Sequence, residues 1–196
     1  MTGQDINTGL FLDNMRRHVR LSEGEEAIVL SKLRPVRLKR REHLLKQGQV
    51  ARDLAFVVAG CLRAYALDDN GFEHILQFAP AGWWISDMSS VISRRDSLLN
   101  VDAIKPSEAL LLSREDQLTL FDEVPKLERY FRVLTENGLV SSRMRLIENL
   151  SLTARQRYQR FCQTYPNLIN EIPQKYIASF IGVTPEFLSK IRGEKL

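Results

Sequence analysis

The sequence predicts an α+β chain: an N-terminal antiparallel β-roll (a jelly roll) with flanking helices, then a long helix and a small all-α domain. Three observations carry this. Between Val36 and about Ser113, short apolar runs are punctuated by glycines, the texture of an antiparallel sandwich or barrel, for which a small jelly roll is the natural closure. From Pro125 to about Leu150, apolar residues recur at spacings of three and four, the period of one long helix. Near the C-terminus, two short amphipathic segments between Gln174 and Arg192 flank Gly182, the spacing of a helix-turn-helix.

The first nine residues read as a loose tail. A short helix follows over about Leu10–Val19. Ser22 and Glu25 have capping-box spacing and start a second helix through Ala27, Leu30 and Leu33, which Pro35 ends. The strand texture then begins. Val36-Arg-Leu38 alternates, Leu44-Leu45 leads to a turn at Gly48, and Leu54–Val58 is an apolar run before Ala59-Gly60. Cys61–Leu67 is the next strand. Asn70-Gly71 follows it and predicts a tight hairpin, because both residues tolerate positive φ. His74–Phe78 returns, Ala109–Leu112 is the last strand, and Arg114–Phe121 forms a helical turn beyond it.

In the long helix, Tyr130, Val133, Asn137, Val140, Met144 and Ile147 form a coiled-coil-like seam with a single polar Asn. Leu127, Phe131 and Leu134 make a second stripe, expected to pack on the β-domain. One helix with two apolar stripes wants two neighbours, and a second copy of the chain supplies one of them most simply. Thr153 and Gln156 form another capping box, opening a helix with Tyr158, Phe161 and Cys162 that ends before Pro166. The expected domains are therefore a β-roll with N-terminal helices over 1–124, a dimerisation helix over 125–150 and a helix-turn-helix over 151–196.

Composition bounds the function. The chain has 196 residues, and no apolar run is long enough to cross a bilayer. The first residues lack the apolar stretch of a secretory signal. Cys61 and Cys162 stand far apart, and His18, His43 and His74 stand alone. This pattern fits a reducing cytoplasm and gives no metal-ligand or cofactor spacing. No phosphate-binding loop, nucleophile elbow or paired-histidine zinc motif is present, so nothing reads as an enzyme.

The net charge of +4 is split unevenly. Residues 1–124 hold 16 Lys/Arg against 18 Asp/Glu, and residues 125–196 hold 12 against 6. The basic excess thus lies with the helix-turn-helix, where phosphate contacts would need it. In that motif Ile177, Ala178 and Ile181 face inwards, and Gly182 is free to take the left-handed conformation that ends the first helix. Thr184 caps the second helix with Pro185 at its first position. Leu188 and Ile191 pack back, leaving Gln174, Thr184, Pro185, Glu186, Ser189, Lys190 and Arg192 as candidate DNA contacts.

This order of parts resembles the Crp–Fnr family of bacterial transcription regulators over almost the whole chain. Gly48, Gly60 and Gly71 fall where that family places turn glycines, and Leu54–Gly60 looks like one of its strands. The segment Ile172–Arg192 resembles the helix-turn-helix of a Bacteroidetes-type subgroup. The resemblance implies a dimer that binds double-stranded DNA, RNA polymerase as a further partner, no membrane, and a small-molecule effector in the β-roll.

The departures bear on that effector. Cyclic-nucleotide binders of the family carry a Gly-Glu pair for the ribose and, ten residues on, an Arg-Ser pair for the phosphate. Here those positions hold Ser86-Asp87 and Ser97-Leu98. Arg94 and Arg95 lie nearby as substitute cations, expected on an exposed loop. Ser141 and Ser142 fall where the family's long helix offers hydroxyls to the base. Without the arginine, a buried phosphate lacks a partner, so cyclic AMP is not the expected ligand. Trp83 and Trp84 are expected as core and lip residues.

Pro185 also stands where the family often has a base-reading arginine, and Asn167–Ile172 is too short for its usual β-wing. Two rival readings remain. One is a small-molecule-binding sensor module whose helix-turn-helix is vestigial and serves protein contacts. The other is a cupin-like enzyme, which would need clustered metal ligands.

Overall fold

The computed structural model describes residues 6–193; the expected N-terminal tail lies partly outside them. The described residues form two compact units, 6–66 with 77–135 and 67–76 with 136–193.

In the first unit, α1 (Gly9–Arg16) and α2 (Glu23–Ser31) precede the strands. The capping box of α2 forms as expected: Glu25 N–H donates to Ser22 Oγ, and Ser22 N–H donates to the Glu25 carboxylate. The helix stops at Ser31, ahead of Pro35, because Arg34 and Pro35 already belong to a strand. The strands are β1 (Arg34–Leu38), β2 (His43–Leu45), β3 (Asp53–Ala59), β4 (Cys61–Leu67), β5 (Glu73–Pro80), β6 (Trp84–Ile85), β7 (Asn100–Ala103) and β8 (Ser107–Ser113). They form two four-stranded sheets, ordered β1-β8-β3-β6 and β2-β7-β4-β5. A helix α3 (Met88–Ser93) lies between β6 and β7, and α4 (Arg114–Glu123) follows β8 as a full helix rather than a single turn.

Alternation along the strands explains the packing. Ala55, Val57, Ala109 and Leu111 of one sheet meet Leu62, Ala64, Val101 and Ala103 of the other in a core between the sheets. The opposite faces of β3 and β8 present Phe56, Leu110 and Leu112 to Phe11, Met15, Val29, Leu120 and Leu127 of the surrounding helices. Trp84 sits among Phe11, Phe56 and Phe131, with ring centroids 5.4–6.0 Å away. It is partly buried and packs against the core, whereas Trp83 is 39% exposed.

Gly60 turns β3 into β4 at φ 89°, and a Cβ there would collide with Ser107 Oγ and lie 2.5 Å from Pro106 O. Only glycine fits this position.

Two local expectations change. Asn70 does not take a positive φ; Gly71 alone does, at 80°. The reason is Asp68, whose carboxylate accepts from both Asn70 N–H and Phe72 N–H and so closes a longer turn. The strand β7 is absent from the sequence reading. Its Asp102 forms a buried two-point ion pair with Arg63 of β4, at 2.7 and 3.0 Å, so half of the strand is polar yet inaccessible.

The long helix α5 runs over Lys126–Ser151, close to its expected limits. Its 26 residues span about 39 Å.

Candidate nucleic-acid interface

In the second unit, α6 (Ala154–Thr164) starts with the expected capping box between Thr153 and Gln156. Residues 165–173 form turns, and no strand of a β-wing occurs among the described residues there. The helices α7 (Gln174–Ile181) and α8 (Pro185–Gly193) then form the helix-turn-helix.

Each part of its geometry has a chemical cause. Gly182 ends α7 in the left-handed conformation, at φ 71°. Phe187 N–H donates to Thr184 Oγ1 at 3.2 Å, so Thr184 caps α8 with Pro185 behind it. Ile177, Ala178 and Ile181 of α7 and Leu188 and Ile191 of α8 are buried, which fixes the outward face of α8. On that face Thr184, Pro185, Glu186, Ser189, Lys190 and Arg192 are exposed, and Gln174 is exposed at the start of α7. Ser189 Oγ lies 3.4 Å from Gln174 Oε1, linking the two helices across the face. The Glu186 carboxyl is held below its usual pKa, first by its own backbone N–H and then by the Thr184 hydroxyl. It is therefore an acceptor in the ionised state. Phe187, 47% exposed on this helix, was not among the sequence candidates.

Two further residues escaped sequence reasoning. Arg145 of α5 donates to the carbonyl oxygens of Ile75, at 2.7 Å, of Phe180, at 2.9 Å, and of Leu76. Its guanidinium also stacks on the Phe180 ring, 4.0 Å from the centroid. Burial pushes the Arg145 pKa down from its ordinary value, though a guanidinium starts far enough above neutrality to stay charged. Ser179 Oγ accepts from Ile75 N–H at 3.0 Å and donates to Glu73 O. Helix α7 is thereby tied to the tip of the β4–β5 hairpin. No periodicity rule marks either residue, because both bind main-chain atoms distant in sequence.

The six seam residues do not share one environment. Tyr130 is fully buried inside its own unit, where its hydroxyl accepts from Trp84 Nε1 at 2.9 Å and donates to Asn14 Oδ1 at 2.7 Å. It is therefore a core residue and not part of an exposed seam. Burial raises its pKa to about 12. Val133 is half-buried, while Asn137, Val140, Met144 and Ile147 are exposed. Leu139 and Leu150 add to the exposed apolar surface of α5. Of the second stripe, Leu127 is buried, and Phe131 and Leu134 pack against the same core as expected.

The effector candidates separate into an internal network and scattered surface residues. Asp87 caps α3, accepting from Ser90 N–H, and its other oxygen accepts from Ser97 Oγ at 2.7 Å. Both residues are buried, so the two positions ten apart close on each other. Ser86 Oγ donates to Asp53 O. Arg94 is exposed at a left-handed helix end, with its guanidinium 3.3 Å from Glu115, and Arg95 is exposed beside it. Ser141 and Ser142 are exposed on α5 in the second unit. Among the described residues, no group of three or more His, Cys, Asp or Glu is placed to hold a metal ion. Nor is any helix long and apolar enough to cross a membrane.

Comparison with known proteins places this geometry. Residues 35–124 match the family model of the cyclic nucleotide-binding domain. No curated protein sequence matches the chain. Among solved structures, the c-di-GMP-responsive global regulator CLP of Xanthomonas campestris is similar at 17% identity and a TM-score of 0.71, covering 87% of this chain and 89% of that one. FixK2 from Bradyrhizobium japonicum aligns at 18% identity and a TM-score of 0.73, with 83% of each chain covered. A Crp/Fnr-family regulator from Eubacterium rectale aligns at 15% identity and a TM-score of 0.67, covering 93% and 84%. Residues 35–124 are thus similar to a cyclic nucleotide-binding domain, and the chain shares its fold with these solved regulators.

Proposed function

We propose that this protein is a homodimeric, DNA-binding transcription regulator of the Crp/Fnr type whose β-roll does not take cyclic AMP. The observation that carries the reading is α8: a capped, packed helix with Lys190, Arg192, Ser189 and the ionised Glu186 on its free face. Its N-terminal end would enter the major groove, where Glu186 can accept from a cytosine amino group and the cations contact guanine or phosphate. Gln174, Thr184 and Pro185 complete the contact surface. The basic balance of residues 125–196 supports the same assignment.

Three working parts follow: a sensor over 1–124, a dimer helix over 125–150 and a DNA-binding domain over 151–196. Val140, Met144 and Ile147, with Asn137 as the polar member, are the surface a second copy would cover, since this much exposed aliphatic surface on one helix invites a partner. The dimer would present two α8 helices to half-sites about one DNA turn apart. The protein acts in the cytoplasm, without catalysis, and its helix-turn-helix is of the Bacteroidetes-type subgroup. RNA polymerase is its further partner.

The exclusion of cyclic AMP rests on the Asp87–Ser97 bond. The carboxylate that would hold a ribose already accepts from the residue that stands in place of the phosphate-binding arginine. Titration with cyclic AMP should give no saturable heat. The small-molecule effector is therefore of another kind.

DNA binding is tested by anisotropy titrations of the wild type and a Lys190→Ala, Arg192→Ala variant across a salt series. Losing two phosphate contacts should flatten the log–log salt slope by about 2. Unchanged binding by the variant would remove α8 from the interface. No binding by the wild type at any salt, with the dimer intact, would favour a sensor module with a vestigial helix-turn-helix.

A further inference from the structure

We infer that a cleft at the root of α5 is a binding site for a small phosphorylated molecule carrying two or more negative charges, such as a nucleoside diphosphate or triphosphate. The cleft lies within the first unit, is open to solvent and holds about 530 Å³, within the range of small-molecule sites. Its lining is Arg16, Arg17, His18, Arg20, Lys126 and Arg129, with Val19 as the apolar member and no carboxylate.

The cations divide into two sets. Arg16 is neutralised by a two-point pair with Glu26, at 2.9 and 2.8 Å, and by Asp13 at 3.5 Å. Lys126 Nζ is held by Glu25 at 2.9 Å. Arg17, Arg20 and Arg129 have no side-chain hydrogen bond or ion pair among the described residues. Three free guanidinium forks therefore converge on one concavity, beside two cations already fixed in place. His18 is positioned by the Tyr130 ring, 5.8 Å between centroids, and that ring is itself fixed through its hydroxyl by Trp84 and Asn14.

Like charges gathered this way repel, and Lys126 and Arg129 sit in the first turn of α5, where the helix dipole adds to that repulsion. A multivalent anion offsets all of these costs at once. Guanidinium groups present paired donors that match phosphate oxygens. Three of them suit a chain of phosphates better than a single one.

The test uses the full chain and isothermal titration with inorganic tripolyphosphate and with ATP, against potassium chloride of matched ionic strength. Saturable binding at one site per chain is expected. An Arg17→Ala, Arg20→Ala, Arg129→Ala variant should bind at least tenfold more weakly. Its circular dichroism should match the wild type, because all three side chains are exposed. The Lys190→Ala, Arg192→Ala variant should bind like the wild type, which separates this cleft from the DNA-binding helix. Arg20→Lys, which keeps the charge and loses the fork, should fall between the wild type and the triple variant. Equal binding by the triple variant and the wild type would overturn the proposal. So would binding of a glutamate-rich peptide in the absence of polyphosphate binding, which would make the cleft an acidic-protein contact.

Discussion

Replacing Arg145 by alanine tests whether one side chain holds α7 to the hairpin tip. The guanidinium donates to three carbonyl oxygens and stacks on Phe180. A hydrogen bond to a charged donor contributes about 1.5–3 kcal/mol, and the ring contact about 0.5–1 kcal/mol. Two corrections reduce the sum. The Leu76 bond is exposed, so water can replace it, and truncation spares the guanidinium its desolvation. A net local loss of about 2–4 kcal/mol remains. At 1.4 kcal/mol per factor of ten, hydrogen exchange at the Ile75 amide should speed up about 30- to 700-fold. That amide is a direct reporter, because its N–H donates to Ser179 Oγ. Arg145→Lys should recover only part of the protection, since an ammonium lacks the fork that spans separate carbonyls. Exchange changed by less than threefold in the alanine variant would refute the argument.

The remaining predictions concern the other parts of the chain. Gly60→Ala should destabilise the β-roll by more than about 3 kcal/mol in urea unfolding, because its Cβ meets the backbone of Pro106. Tyr130 gives an alkaline limit: its folded pKa is near 12, against an unfolded value of about 10. The corresponding stability, on the order of 2–3 kcal/mol, is fully present below about pH 10 and lost as pH rises through about 12. Tyr130→Phe should flatten that loss in unfolding curves measured across this range. A Met144→Asp, Ile147→Asp variant should sediment as a monomer at concentrations where the wild type sediments as a dimer.

Local chemistry made much of the fold legible. The capping boxes at Ser22 and Thr153 placed two helix starts, because both halves of each pair lie within one turn. Gly182 and Thr184 did the same for the helix-turn-helix, whose buried and exposed faces follow the 3.6-residue period. What stayed hidden depends on partners far along the chain. β7 is short, and its buried Asp102 reads as a loop residue until Arg63 is found beside it. α3 takes its cap from Asp87 and is only six residues long, too short to show a helical period. Tyr130 fits the seam by spacing, but the aromatic cluster around Trp84 takes it inside. The candidate DNA face was thus readable from one short segment, and the closed Asp87–Ser97 pair was not.

The grip on the hairpin also fixes what can vary there. Arg145 and Ser179 touch only main-chain atoms of Glu73, Ile75 and Leu76. A contact made to backbone is indifferent to the side chains it passes, so this grip does not itself choose the side chains of residues 69–76, although Ile75 is buried and Gly71 holds a positive φ. It does set their number. Adding or removing one residue in the turn moves each carbonyl and amide about 3.3 Å along the strand, beyond hydrogen-bond reach. Helix α7 therefore measures the length of this turn through main-chain atoms alone.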